Sequence, residues 1–109
     1  MTTFDDREKA FERKFAHDTE MQFKAEARRN KLLGLWAAEQ MGLSGEAADA
    51  YARSVVLADL KEKGDEDVFR KVKDDLEAKG VSVVDDDLRK RMRDLLAQAK
   101  AQIVSEARE

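Results

Sequence analysis

Three glycines partition this chain. Gly42, Gly64 and Gly80 each close an amphipathic stretch, and each is followed within five residues by a Ser or Asp that can open the next: Ser44, Asp65 and Asp85. Glycine is comfortable at the positive φ that terminates a helix, and a short oxygen-bearing side chain accepts a hydrogen bond from a free amide at the following helix start. Three such stop-and-start pairs give four helices with short connections, which makes consecutive helices antiparallel neighbours. With 109 residues and no Pro, the chain has one domain's worth of core and nothing that interrupts a helix. The fold class expected is all-α: a four-helix bundle over residues 20–109, carrying a flexible N-terminal arm over residues 1–19.

The first helix is expected to run from a cap at Asp18 or Thr19 to Met41, stopped by Gly42. Its segment EARRNKLLGLWAAEQMGL, residues 26–43, holds the only Trp and is apolar almost all round from Leu32 to Ala38. A helix of that kind is covered on more than one side, so it is taken as the centre of the fold. Met21, Ala25, Leu32 and Trp36 form its expected inward stripe, widened by Leu33 and Leu35, while RRNK at 28–31 supplies four polar positions. A buried Trp36 predicts a loss of about 3–5 kcal/mol on truncation to Ala. The second helix, 45–62, should turn Ala48, Tyr51, Val55 and Val56 inward, and its small Ala47, Ala48, Ala50 and Ala52 permit close approach of a neighbour. The third, capped by Asp65, aligns Val68, Phe69, Val72 and Leu76. Val81–Val84 is too short and solitary for a sheet, and reads as an extended connector whose valines plug the bundle end. The fourth starts at Asp85 or Asp86 with Leu88, Met92, Leu95, Ala99 and Ile103 in one band, joined by Leu96.

Residues 1–20 read differently. Phe4, Phe11 and Phe15 fall within about 40° of one another on a helical wheel, a narrow aromatic stripe on a segment with six acids and four bases. Met21 and Phe23 lie off that stripe, so the arm and the first helix do not share one buried face. A terminal segment this polar is marginal as an isolated helix in water, and it is expected to be disordered when free and helical against a partner. Periodicity alone slightly favours the opposite reading, in which the three Phe pack back on the domain. His17, the only histidine, sits beside Asp18 and has the chemistry of a pH switch, but is expected to be exposed and without consequence.

No residue pattern supports catalysis. There is no Cys, no Gly-rich phosphate loop, and one histidine cannot make a HExxH or paired Glu-x-x-His metal site. The runs Asp65-Glu66-Asp67, Asp74-Asp75 and Asp85-Asp86-Asp87 lack the Gly-bearing loop of an EF-hand, and two of the three fall where helix starts favour negative charge. No cofactor or metal is expected. The net charge of −3 argues against nucleic acid, and the one dense basic cluster, Arg89 to Arg93, directly follows three Asp. Without an apolar run of about 18 residues, no membrane insertion is expected, and the lack of Cys suits a reducing cytoplasm. What remains is recognition by surface: a charged bundle whose amphipathic arm presents a helix to a groove.

Taken together and in this order, FDDREKAFERKFAHD, RRNKLLGLWAAEQMGLSG and GDEDVFRKV resemble the zeta subunit of alphaproteobacterial F-type ATP synthases, an ATPase inhibitor. The resemblance implies a four-helix bundle with an inhibitory segment at residues 1 to about 19. That segment would enter a catalytic α/β interface beside the γ subunit as a helix and stop rotation in the hydrolysis direction. Phe4, Phe11 and Phe15 would be its apolar anchors, with Asp5, Arg7, Glu8, Glu12, Arg13 and Lys14 making polar contacts. It also implies a cytoplasmic location, peripheral to the inner membrane through the ATP synthase. Two alternatives stay open: a non-inhibitory helical adaptor or assembly protein, and a regulator with weak adenine-nucleotide binding on the bundle.

Overall fold

A computed structural model describes residues 19–59 and 65–107. Four helices make up the fold: α1 (Thr19–Gln40), α2 (Gly45–Ala58), α3 (Glu66–Ala78) and α4 (Asp85–Ala107). There is no strand among the described residues, as the composition demands. The arm, including Phe4, Phe11 and Phe15, lies outside them, as does the expected stop at Gly64.

The glycine punctuation operates as local chemistry dictates at both stops that are described. Gly42 has φ 78° and Gly80 φ 79°. Around Gly42, the Leu43 amide donates to the Ala38 carbonyl at 2.8 Å and the Gly42 amide to Glu39 at 3.1 Å; around Gly80, Val81 donates to Leu76 and Gly80 to Glu77, both at 2.9 Å. These paired bonds satisfy carbonyls that a helix end leaves open. The start signals act differently. Ser44 occupies the cap position of α2 in extended geometry and Asp65 that of α3, yet neither side chain bonds to its helix. The Asp65 carboxylate is engaged elsewhere, by Arg29 of α1.

α2 ends at Ala58, four residues short of the expected 62, with Asp59 at its C-cap. A carboxylate there opposes the negative end of the helix dipole, a local penalty that the periodicity did not register.

α1 is the organising element: it packs against all three other helices, most extensively α2 and α4, whereas α2 and α4 make no close backbone approach to each other. From Leu32 to Ala38 every residue is buried or half-buried, which explains the near absence of charge there. The inward face is, however, the small one. Leu33, Gly34, Ala37 and Ala38 are buried, and Leu32, Leu35 and Trp36 only partly so. The reason lies in the approach of α2: a Cβ built on Gly34 would sit 2.6 Å from the Ala52 Cα and 3.2 Å from its Cβ. The helices meet backbone to backbone through Gly34 and Ala52, and bulky residues such as Trp36 are displaced to the flank of the core.

The main core joins Leu33, Ala37, Val55, Val68, Phe69, Val72, Leu76, Leu88 and Met92. All four expected positions of α3 are buried, as are Leu88, Met92, Ala99 and Ile103 of α4. In the α3–α4 connector, Val81 and Val83 pack against this core, but Val84 points outward at 63% exposure. A second, smaller cluster pins the beginning of α1 to the end of α4: Ala25 and Ile103, with Met21, Leu96 and Val104 around them.

Candidate functional site

Of the residues singled out from the sequence as partner contacts, Phe4, Asp5, Arg7, Glu8, Phe11, Glu12, Arg13, Lys14 and Phe15 all lie outside the described residues. What the structure does describe is the platform on which that segment stands, the first turns of α1.

Two sets of contacts fix this platform. On one side, Arg28 reaches across to the last turns of α4, donating from Nη1 and Nη2 to the Glu106 carboxylate and from Nη1 to Gln102 Oε1. This bond holds the Glu106 carboxyl below its ordinary range. The pair lines one hollow together with Met21 and Ile103 of the smaller cluster, so apolar burial and a two-pronged charged bond act on the same joint.

On the other side stands a cluster that sequence reading missed. Arg29 is 1% exposed and Asn30 is fully buried. Arg29 Nε donates to Asn30 Oδ1 at 2.7 Å, and Nη2 donates to Asp65 Oδ1 at 2.7 Å. The guanidinium thus spans from α1 to the start of α3, which accounts for the failure of Asp65 to cap its own helix. Asn30 Nδ2 has no hydrogen-bond partner among the described residues. Glu26, one turn earlier, is raised above the usual carboxylate range, first by burial and then by Asp59 and Asp65, with Arg29 and Lys100 opposing. The Glu26 carboxyl therefore feels the charges of Asp59 and Asp65 and of the buried Arg29 guanidinium, where α1, the end of α2 and the start of α3 converge. The only hint in the sequence was RRNK ahead of the apolar run of α1, and a run of four polar residues in a helix reads by default as solvated.

Half of the residues in the acidic runs, Asp65, Glu66, Asp75 and Asp85, pair with a cation. Glu66 pairs with Arg89 at 2.8 Å, and that bond lowers its pKa; Lys73 pairs with Asp85 at 2.6 Å; Asp75 accepts from Tyr51 Oη at 2.9 Å and from Lys71 at 3.0 Å. Burial and the Asp75 bond push the Tyr51 phenol well above its ordinary value. Arg89 also stacks 4.0 Å from the Phe69 ring centroid, covering one edge of the core. Among the described residues, no group of three or more His, Cys, Asp or Glu is arranged to hold a metal ion, and no helix is long and apolar enough to cross a membrane.

One cleft, of about 460 Å³, opens between the end of α1, the connector and the start of α4. Trp36, Val83, Lys90 and Arg91 are among its walls, with Asp87 and Asp94 beside them. Arg91 lies 4.8 Å from the Trp36 ring centroid, and Lys90 pairs with Asp94 at 3.3 Å.

No curated protein matches this chain. Among solved structures, it is similar to a protein determined by solution NMR, with 55% identity and a TM-score of 0.70 over 79% of this chain and 98% of that one. The family model for ATPase inhibitor subunit zeta matches residues 1–102, taking in the arm as well as most of the bundle. The likeness carried by the arm, the Trp-bearing helix and the start of α3 thus extends over nearly the whole length, and the chain belongs to the ATPase inhibitor subunit zeta family.

Proposed function

We propose that this protein is a regulatory, non-catalytic inhibitor of ATP hydrolysis by an F-type ATP synthase, and that residues 1–19 are its active element. In this reading the arm enters a catalytic α/β interface next to the γ subunit, becomes helical there and blocks rotation. Phe4, Phe11 and Phe15 are the buried anchors; Asp5, Arg7, Glu8, Glu12, Arg13 and Lys14 set its register through polar contacts. The protein then works in the cytoplasm, held at the membrane surface by the enzyme.

The observation that carries the reading is the Phe4–Phe11–Phe15 stripe within a segment that the family model also spans. Magnitudes are consistent with it. Full burial of a Phe side chain contributes roughly 1.5–3 kcal/mol, while ordering backbone costs roughly 1–2 kcal/mol per residue. Three anchors alone do not offset that, so ion pairs, hydrogen bonds and a tethered bundle must contribute. The test is ATP hydrolysis by the cognate enzyme with the intact protein and with one lacking residues 1–19. Inhibition is expected only from the intact chain; equal inhibition by both would remove the arm as the active element.

A second reading, weak binding of an adenine nucleotide, is favoured by one feature, the cleft that sets the Trp36 indole beside Arg91 and Lys90. An aromatic face and two cations are what a base and its phosphates require, although Arg91 already covers the indole and Asp94 already holds Lys90. Titration of ATP to millimolar levels should shift the Trp36 indole and Arg91 resonances together. Without a coherent patch of shifts there, this reading falls.

A further inference from the structure

We infer that the face formed by Phe23 and Lys31 of α1 with Arg53, Val56 and Leu57 of α2 is a second docking surface, which receives an acidic-rimmed apolar patch of the ATPase beside the cleft mouth. The inference rests on the proposed function for the identity of the partner, and on the bundle itself for the surface.

Two adjoining hollows, of about 740 and 490 Å³, share Lys31 and Val56 as a common wall and so form one continuous surface. Phe23 and Leu57 lie on it at 58% and 59% exposure, two of the three most exposed large hydrophobic residues among those described. Exposed apolar side chains grouped on one face, unlike scattered ones, indicate a contact surface. The charges around them are unbalanced. The walls of the two hollows carry four cations, Lys24, Arg28, Lys31 and Arg53, against two carboxylates, Asp49 and Glu106, in a chain of net charge −3; of the four, Lys31 and Arg53 enter no ion pair among the described residues. An apolar partner alone would strand these two cations on closing over Phe23 and Leu57, which is unfavourable. A partner bringing carboxylates to the rim would not.

Position along the chain selects among possible occupants. Phe23 follows Thr19 by four residues, about 6 Å along a helix, so the face begins where the arm ends. Once the arm is in its cleft, this face is tethered at the mouth, where its effective concentration is high. A second copy is a poor occupant, because a two-fold contact would set Lys31 and Arg53 against themselves. The protein's own arm is also a poor match: its acids Asp5, Asp6, Glu8, Glu12 and Asp18 are nearly balanced by Arg7, Lys9, Arg13 and Lys14.

The experiment uses the full chain and the purified F-type ATPase, reading both binding and inhibition at about 50 mM and about 300 mM salt, since screening weakens exposed charge contacts. Lys31→Glu combined with Arg53→Glu is expected to weaken binding about tenfold or more at low salt and to flatten the salt dependence. Leu57→Ser should weaken binding at both salt concentrations. The control, Arg70→Glu with Lys79→Glu on α3, should bind as the unaltered protein does, and thermal melts should show all variants folded. Binding by the double variant within about twofold of the unaltered chain, or equal loss in the control, overturns the inference. So does self-association abolished by Leu57→Ser, or nuclear Overhauser contacts from the arm phenylalanines to Phe23 and Leu57 in the free chain. An unaltered protein that binds without inhibiting would refute the proposed function while leaving the docking face intact.

Discussion

Gly34 shows how much a single absent atom does here. Because its missing Cβ would lie 2.6 Å from the Ala52 backbone, Gly34→Ala should push α1 and α2 apart and lower stability by about 1–3 kcal/mol, measured by urea unfolding. Trp36, large and half-buried on the flank, should lose less on truncation than a sealed aromatic: Trp36→Ala is expected to cost about 2–3 kcal/mol, below the usual range for full burial. Glu26 acts in the opposite sense. Its carboxyl is raised, so the folded chain holds that proton more tightly than the unfolded one, and stability falls as pH rises from the ordinary Glu range through the raised value. At neutral pH the ionised form therefore opposes folding. Glu26→Gln should raise the melting temperature at pH 7, and the difference should vanish once the pH drops below the normal Glu range.

Among the elements, legibility tracked the chemistry that marks each one. α3 was readable in full: Val68, Phe69, Val72 and Leu76 repeat at helical spacing among charges, and all four are buried. Gly42 and Gly80 were readable because positive φ has few other tenants. The face of α1 was not. When Leu32 to Ala38 is apolar all round, periodicity gives no direction, and only the proximity of Ala52 selects Gly34 and Ala37 over Trp36. The Arg29–Asp65 joint was hidden because a one-dimensional pattern cannot pair residues 36 positions apart. That joint makes an asymmetric prediction. Asp65→Ala removes the one carboxylate bonded to the buried guanidinium, with only Glu26 and Asp59 left in its neighbourhood, and should cost about 3 kcal/mol, whereas Arg29→Met leaves a half-exposed Asp65 carboxylate that water can solvate and one buried acceptor, Asn30 Oδ1, without its donor, and should cost less. Chemical denaturation of the two variants side by side orders them.

For the molecule as a whole, the nine arm residues proposed as contacts rest on pattern and family likeness, because they lie outside the described residues. The deletion of residues 1–19 is accordingly the decisive measurement at this scale: inhibition should disappear while the melting temperature changes little, since both core clusters among the described residues are built from positions 21–104.

The joint between the first turns of α1 and the last turns of α4, with its Ala25–Ile103 packing and its Arg28–Glu106 bond, has a mechanical corollary. A rotor straining against a wedged arm would pull on α1 from its N-terminus, along the helix axis. Seated lengthwise between α2 and α4, α1 meets that load in shear, so many contacts must yield together instead of opening one by one like a zip. If the proposed function holds, the bundle would serve as an anchor for a tether under tension.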